Sequence, residues 1–233
     1  ECHCVCQWGY DFRPSYLELP KLREQLPEVP ILALTATATS EVVEDIKRVL
    51  HFRPGYAFYQ KSFLRPNISY SIRRSDDKPK MMHFILSKVE GAAIVYCRNR
   101  QLCQTVTDTL LEMGISATYY HAGLTYTERE MRQARWMRGE ARVMVATNAF
   151  GMGIDKPDVR LVIHLTMPSS LEEYYQEAGR AGRDGEHSYA VAIVGSQDSR
   201  MLHRRLQDTF PEKEYIREVY DQICNFLAIG EGQ

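Results

Sequence analysis

From residue 91 onward, short continuous apolar runs alternate with stretches whose apolar residues recur at helical spacing. Continuous apolar runs are typical of strands buried on both faces of a parallel sheet. They predict strands at residues 92–96, 115–120, 143–146, 161–165 and 189–194. Helices are predicted before the first strand, at residues 79–88, and between later ones, at 99–113 and from a capping box at Thr125 and Glu128 to residue 138. This alternation predicts an α/β fold, with a parallel sheet covered by helices on both faces.

The amino-terminal part of the chain follows a similar but less regular pattern. A helix is predicted at residues 16–25, and the compact apolar run at residues 31–34 predicts a buried strand. Small hydroxyl-bearing residues follow it at 35–39, where ligands gather at the carboxyl edge of open α/β sheets. Ser40 predicts the N-cap of an amphipathic helix, and residues 56–59 predict another strand.

Turn-forming residues divide the chain into segments. The stretch Leu64-Arg65-Pro66-Asn67 shows turn chemistry, and no periodic pattern crosses it. Beyond residue 197 the pattern becomes helical, and Pro211 separates predicted helices at 198–208 and 212–227. We therefore predict a first domain portion at residues 1–62, a linker at 63–68, an α/β domain at 69–197 and a helical region at 198–233.

Composition adds constraints on partners and location. The 233 residues are 44% hydrophobic and carry a net charge of −1, so a nucleic-acid partner would need a local basic groove. No apolar run approaches the roughly 20 residues of a membrane span, and no signal peptide is visible. We expect a cytoplasmic protein, associated with the nucleoid if it is bacterial. The first residue is Glu1 rather than methionine, which favours a piece of a longer protein.

The six cysteines are scattered, and three of them alternate near the start of the chain. Cys2, Cys4 and Cys6 lie beside His3, a composition that suggests zinc. No second pair of ligands follows at the spacing of a zinc finger, so reduced thiols in the cytosol are the better interpretation.

The stretch at residues 174–185 carries the strongest chemical signal. Gln176, Arg180 and Arg183 are spaced so that a helix would place them on one stripe. Glycines at 179, 182 and 185 would let backbone approach a ligand closely. Two guanidinium groups kept clear of bulky neighbours suit a polyphosphate, as arginine fingers do. The alternative is a helix end with solvated charges.

Loops after three predicted strands gather polar residues at one edge of the sheet. They are residues 97–100, 121–123 and 147–157. Gly151 and Gly153 would let backbone amides face an anion, and Asp155 would accept from sugar hydroxyls or simply cap the turn before Pro157. No GxxxxGKS/T phosphate-binding loop occurs in the sequence.

An aromatic-rich segment lies near the start of the chain. Trp8, Tyr10 and Phe12 precede Arg13, and Pro14 ends any regular element. Aromatic rings beside an arginine are suited to stacking on bases and gripping phosphate. The alternative is a loop whose rings fold back onto the domain.

Together these stretches resemble the motifs of superfamily-two helicases, and specifically of the RecQ family of DNA helicases. ECH at residues 1–3 resembles the end of the DEAH box, and CQWGYDFRP at 6–14 the family's aromatic-rich loop. ALTATAT at 33–39 resembles motif III, ATNAFGMGIDKPDVR at 146–160 motif V, and QEAGRAGRDG at 176–185 motif VI. Cys2 and Cys6 depart from the usual alanine and serine. The resemblance implies a complete second RecA-like lobe and the back half of a first one.

The same resemblance implies roles at a nucleotide held between two lobes, with ATP and Mg²⁺ as cofactors. Glu1 would polarise the attacking water, and Arg180 and Arg183 would reach the γ-phosphate. Nucleotide-binding or coupling roles are expected of His3, Gly153, Asp155 and Gln176.

A DNA helicase of this family would move 3′ to 5′ along single-stranded DNA, as a monomeric motor acting on single-stranded and forked DNA. Nucleic-acid contacts are expected of Trp8, Phe12, Arg13, Arg98, His121 and Thr147. No membrane partner is expected.

Departures from the family pattern limit what this stretch would do alone. The P-loop lysine and the magnesium-binding aspartate of the first lobe are absent, so we expect little or no ATP hydrolysis from these residues alone. Only Cys224 lies where the family's zinc-binding cysteines begin, so zinc is not expected. The alternatives are an RNA helicase of the same superfamily and a RecA-like nucleic-acid-binding module without catalysis.

Overall fold

The structure, a computed structural model, describes residues 2–7, 18–36, 38–62, 64–151 and 154–227, with only the backbone given for Cys6, Gln7, Leu22 and Arg23. Within these ranges no helix is long and apolar enough to cross a lipid bilayer. The chain divides into two units. The first comprises Glu1–Pro66 with Leu171–Gln176, and the second comprises Asn67–Ser170 with Glu177–Gln233.

The described residues before Pro66 form helices and no strand. These helices are α1 (Cys4–Gln7), α2 (Pro20–Gln25) and α3 (Ser40–Val49). Thr39, not Ser40, is the N-cap of α3, and its hydroxyl accepts from the Val42 N–H at 3.4 Å. Helix α3 buries Ile46 in a small core that also contains Val5, Ala38 and Leu50.

The strands predicted at residues 31–34 and 56–59 are wrong for this structure. Neither run forms a strand, because a strand requires a paired neighbour and none of the described residues supplies one. Leu32 and Leu34 consequently remain 81% and 64% exposed. The Leu34 carbonyl does accept a hydrogen bond from the Cys2 N–H at 2.9 Å, so the run is bonded to the residues just before α1 without forming a ladder.

Strands and helices alternate through the second unit. The elements after Pro66, in chain order, are β1 (Ile68–Arg74), α4 (Lys78–Lys88), β2 (Ala92–Tyr96), α5 (Arg100–Glu112), β3 (Ala117–Tyr120), α6 (Tyr126–Met137), β4 (Val143–Ala146), β5 (Val159–His164), α7 (Leu171–Ala178), β6 (Ser188–Val194), α8 (Asp198–Thr209) and α9 (Lys213–Leu227). The capping box predicted for α6 is confirmed, with Thr125 and Glu128 bonded reciprocally.

The strands of the described residues form one six-stranded sheet in the order β1-β6-β5-β2-β4-β3. Every pair in it is parallel. Strands β2, β4 and β5 are almost wholly buried, as their continuous apolar sequences require. The predicted α/β fold is confirmed. The parallel order places the carboxyl ends of all strands at one edge.

Strand β1 was missed by the sequence prediction, which assigned its first residue to the linker and predicted no element at residues 69–74. It pairs with β6 from Ile68↔Ser188 to Arg74↔Val194, at an edge of the sheet. Edge position explains the miss, because β1 has mostly exposed, polar positions rather than a continuous apolar run. Ile68, at its start, is the residue it buries most.

Helix α7 ends at Ala178, so the predicted helical stripe of Gln176, Arg180 and Arg183 is wrong. The chain turns instead, with the Arg180 N–H bonded to the Glu177 carbonyl and the Ala181 N–H to that of Ala178. Nor could a helix continue to Arg183, because Gly182 has a φ of +55°, a left-handed conformation that a helix does not contain.

Candidate functional site

The loops singled out from the sequence follow neighbouring strands of the sheet. Arg98 follows β2, Thr147 follows β4 and His121 follows β3, and these three strands are adjacent. Since the strands are parallel, the three residues lie along one carboxyl edge. Backbone bonds join the loops there: Cys97 donates to Ala146 at 2.8 Å, and Thr147 donates to Tyr120 at 3.2 Å.

His121 is a buried imidazole, only 5% exposed. Neither ring nitrogen has a hydrogen-bond partner among the described residues. The ring stacks on Tyr119 with centroids 5.5 Å apart, and the Arg132 guanidinium lies 3.8 Å from the Tyr119 ring. Burial first, and then the positive charge of Arg100, lowers the pKa of His121. An imidazole with unused polar atoms beside arginines is suited to meeting an anion.

Arg98 and Thr147 differ in how much surface they offer. Arg98 is exposed, whereas Thr147 is only 8% exposed. The Thr147 hydroxyl accepts from the Ala149 N–H at 3.4 Å, so it caps the turn that follows β4. Arg98 therefore presents its charge to solvent, while Thr147 shapes the loop.

Arg180 and Arg183 lie in the turn after α7 and are bonded to the loop after β4. Arg180 Nη1 donates to the Gly151 carbonyl at 2.6 Å. Arg183 Nη1 donates to the Ile154 carbonyl at 3.0 Å and to Asp155 Oδ1 at 2.8 Å. The predicted arginine pair and the predicted loop are thus in direct contact.

The side chains of Arg180 and Arg183 differ in how much of each is exposed to solvent. The Arg183 side chain is 36% exposed and its partner Asp155 is 80% exposed, so their ion pair lies at the surface. Such a pair contributes little to stability and exchanges readily for another anion. Arg180 is half-buried, and the lack of a side chain at Gly151 leaves room for its guanidinium, with which a Cβ atom would collide. Arg180 is therefore fixed in place while Arg183 is accessible.

The turn of Arg180 and Arg183 is anchored to Asn67, just before β1, and to the first residue of β5. Asn67 Nδ2 donates to the carbonyls of Gly182 and Glu186 at 2.8 and 3.0 Å. The Gly182 N–H donates to the Val159 carbonyl at 2.8 Å. This role of Asn67 was not predicted from the sequence, because the residue falls in the predicted linker.

His3 lies in the first unit and is 6% exposed. Its Nδ1 is 2.7 Å from the Thr35 hydroxyl, in the stretch that resembles motif III. Gln176 is half-buried in the last turns of α7. The roles predicted for these residues remain predictions.

Several predicted site residues lie outside the described residues. These are Glu1, Trp8, Phe12, Arg13 and Gly153. Among the residues that are described, no group of three or more histidines, cysteines and carboxylates is placed to hold a metal ion. The described cysteine side chains, Cys2, Cys4, Cys97, Cys103 and Cys224, form no disulfide with one another.

A buried polar pair, His164 and Glu177, was not predicted from the sequence. His164 is fully buried at the end of β5, and its Nε2 is 2.9 Å from Glu177 Oε2 on α7. Its ring stacks on Tyr96 with centroids 5.4 Å apart and planes 18° apart. A polar residue ending an apolar run was the available signal in the sequence.

Comparison with known proteins gives the same assignment for the core of the chain. Residues 77–185 match the helicase conserved C-terminal domain. ATP-dependent DNA helicase Q-like 2 of Arabidopsis thaliana is 42% identical over 96% of the chain and 32% of its own length. RecQ-like DNA helicase blm-1 of Caenorhabditis elegans is 45% identical over 89% of the chain and 22% of its own length.

A bacterial relative and a solved structure extend the comparison. ATP-dependent DNA helicase RecQ of Pasteurella multocida is 42% identical over 99% of the chain, which spans 36% of that protein's length. The chain thus covers roughly a fifth to a third of these relatives. The structure of S. cerevisiae Dbp5 bound to RNA and ADP BeF3 has a TM-score of 0.67 at 19% identity, over 90% of this chain and 56% of that one. That likeness shows the RecA-like fold. The chain belongs to the RecQ family of superfamily-two helicases.

Proposed function

We propose that the full-length protein is an ATP-dependent DNA helicase that moves 3′ to 5′ along single-stranded DNA and unwinds duplexes. The observation that carries the proposal is the contact between Arg180 and Arg183 and the loop after β4. It places two guanidinium groups against one loop of a RecA-like domain, and guanidinium forks suit the oxygens of a phosphate. The names of the relatives, which are ATP-dependent DNA helicases, support the same reaction.

At the nucleotide, the arginines fit a triphosphate. Arg183 is half-exposed, and its partner is a solvated carboxylate that a phosphate can replace. ATP with Mg²⁺ supplies the phosphoryl group that is transferred to water. Arg183 would stabilise the charge that develops on it, and Arg180 would hold the loop at Gly151. Glu1, His3 and Gln176 are proposed to polarise water and to couple the nucleotide to DNA.

On the DNA side, Arg98 and His121 are proposed to contact the phosphate backbone. Arg98 is exposed, and the buried ring nitrogens of His121 have no hydrogen-bond partner among the described residues. Thr147 is proposed to act mainly through its loop. Trp8, Phe12 and Arg13 are proposed to stack on and grip single-stranded or forked DNA as the monomeric motor moves.

The test is ATP hydrolysis by the purified full-length protein, with single-stranded DNA and with RNA of the same sequence. We expect DNA to stimulate hydrolysis more than RNA, and a duplex with a 3′ overhang to be unwound in preference to one with a 5′ overhang. Stronger stimulation by RNA would favour an RNA helicase. Absence of hydrolysis with either polymer would favour a binding module without catalysis.

His121 gives DNA binding a specific dependence on pH. Burial and Arg100 lower its pKa in the free protein, and a bound phosphate would raise it, so DNA binding takes up a proton. Affinity for single-stranded DNA should therefore rise as pH falls from about 8 to about 6, by at most about tenfold per pH unit, the limit for one proton. Fluorescence anisotropy at constant ionic strength measures it.

The control for this dependence replaces one histidine at a time. His121→Gln should flatten the pH profile, because the remaining amide does not titrate. His203→Gln, at an exposed position on α8, should leave the profile unchanged. A wild-type slope that persists in His121→Gln contradicts a phosphate contact at His121.

Trp8→Ala tests the aromatic-rich segment in the full-length protein. If Trp8 stacks on DNA, its loss should weaken the stimulation of ATP hydrolysis by DNA far more than the affinity for ATP, since stacking contributes about 1–3 kcal/mol per base. Titrating single-stranded DNA into the ATPase assay measures the change. Stimulation equal to that of the wild type would reject the assignment, and Trp8→Phe should retain most of it.

A further inference from the structure

A buried acid–imidazole pair joins α7 to the sheet beneath the arginine turn. Glu177 is 6% exposed and His164 is fully buried, and their side chains are 2.9 Å apart. Burying ionisable groups is unfavourable unless they are paired, and apolar residues of similar size would often serve stability as well or better. The position of the pair therefore calls for an explanation beyond stability.

Tyr96 extends the pair to the loop after β4. It is the last residue of β2 and lies opposite His164 in the parallel register. Their rings stack, and the Tyr96 hydroxyl donates to the Phe150 carbonyl at 3.1 Å. Burial raises the pKa of Tyr96, although the positive charge of Arg180 opposes this, so the phenol stays protonated and remains a donor.

Arg180 connects this loop back to Glu177. The carbonyl of Gly151, which follows that of Phe150, accepts a hydrogen bond from Arg180 Nη1 at 2.6 Å. The Arg180 N–H in turn donates to the Glu177 carbonyl at 3.2 Å, which returns to the starting residue. The side chains of Tyr96 and Arg180 thus bind two successive carbonyls of the loop after β4. His164 and Glu177 connect those two residues through contacts of their own.

We infer that Tyr96, His164 and Glu177 are positioning residues that fix the arginine turn for ATP hydrolysis, an inference that rests on the proposed function. The Glu177–His164 pair fixes the position at which the turn begins after α7. Tyr96 fixes the position of the loop to which Arg180 donates. Arg183 follows three residues later and bonds the same loop at Ile154. Displacing a catalytic group by about 1 Å costs up to about a hundredfold in rate.

The first experiment measures kcat and KM for DNA-stimulated ATP hydrolysis by full-length variants. Glu177→Ala should lower kcat between about 10- and 100-fold, with a much smaller change in KM for ATP. Glu177→Gln should restore most of kcat, because an amide oxygen still accepts from His164. Glu172→Ala is the matched control, since Glu172 is an exposed glutamate on the same helix. Tyr96→Phe should lower kcat by releasing the Phe150 carbonyl.

A second variant separates positioning from stability. Replacing both members of the pair, His164→Leu with Glu177→Leu, removes buried charge and should leave thermal stability close to that of the wild type. The inference expects this double variant to lose kcat nonetheless. Wild-type kcat in the double variant would show that packing alone suffices and would overturn the inference.

A double-mutant cycle tests the route through Arg180. In an Arg180→Ala background, Glu177→Ala should lower kcat little further, because the residue it positions is already gone. Full additivity would overturn the inference. A wild-type protein that hydrolyses no ATP with DNA would refute the proposed function itself. Hydrolysis by the wild type with an unaffected Glu177→Ala variant would refute only the positioning role.

Discussion

Replacing Arg183 by alanine in the full-length protein is expected to lower kcat for DNA-stimulated ATP hydrolysis about a thousandfold, the effect of removing an arginine finger. The side chain is half-exposed and held by a solvated carboxylate, so its guanidinium can leave Asp155 for a γ-phosphate at little cost. ATP affinity should change little, because the charge that Arg183 stabilises develops mainly in the transition state. Steady-state hydrolysis and equilibrium binding of a fluorescent ATP analogue measure the two quantities.

Matched variants identify the cause of such a loss. Arg138→Ala removes an exposed arginine that pairs with Glu140 at 2.6 Å, and should leave kcat unchanged. Asp155→Asn removes the charge that competes for Arg183, and should not reproduce the loss seen with Arg183→Ala. Lysine at position 183 keeps the charge without the planar fork, and should recover only part of the rate. Wild-type turnover in Arg183→Ala would reject the finger assignment.

The buried strands could be predicted because a strand covered on both faces has a continuous apolar sequence. Strands β2 and β4 are covered on both faces, so each appears as an uninterrupted apolar run. Strand β1 lies at an edge, where alternate side chains meet solvent, and its pattern is lost among the polar residues that follow. The run at 31–34 has the composition of a strand, but pairing depends on a neighbour that no local pattern specifies.

The site was predictable at the level of residue types rather than geometry. The spacing of Arg180 and Arg183 suggested a continuous helix, yet the glycine between them turns the chain. Their contacts with the loop after β4 join residues nearly thirty positions apart, which periodicity does not encode. His164 and Glu177 were missed for the same reason, because neither residue alone indicates that the two side chains pair.

Gly182→Ala is expected to destabilise the second unit by about 2–5 kcal/mol, by combining backbone strain with overpacking. Gly182 has a φ of +55°, in the left-handed region. An added Cβ atom would lie 2.5 Å from Asn67 Nδ2 and 2.7 Å from both the Glu186 carbonyl oxygen and the Ser188 hydroxyl. One of these neighbours is backbone and cannot rotate away, so the turn itself must shift.

Gly185→Ala is the control that separates the two contributions. Gly185 also has a positive φ, +88°, but a Cβ atom there would meet nothing within 4 Å. Its replacement should cost only the conformational term, about 1–2 kcal/mol. Chemical unfolding followed by the fluorescence of buried Trp136, in a Trp8→Phe background, measures both variants. Equal costs would show that the turn absorbs the collision. A larger cost for Gly182→Ala would locate the excess in the packing that holds the arginine turn against Asn67 and β6.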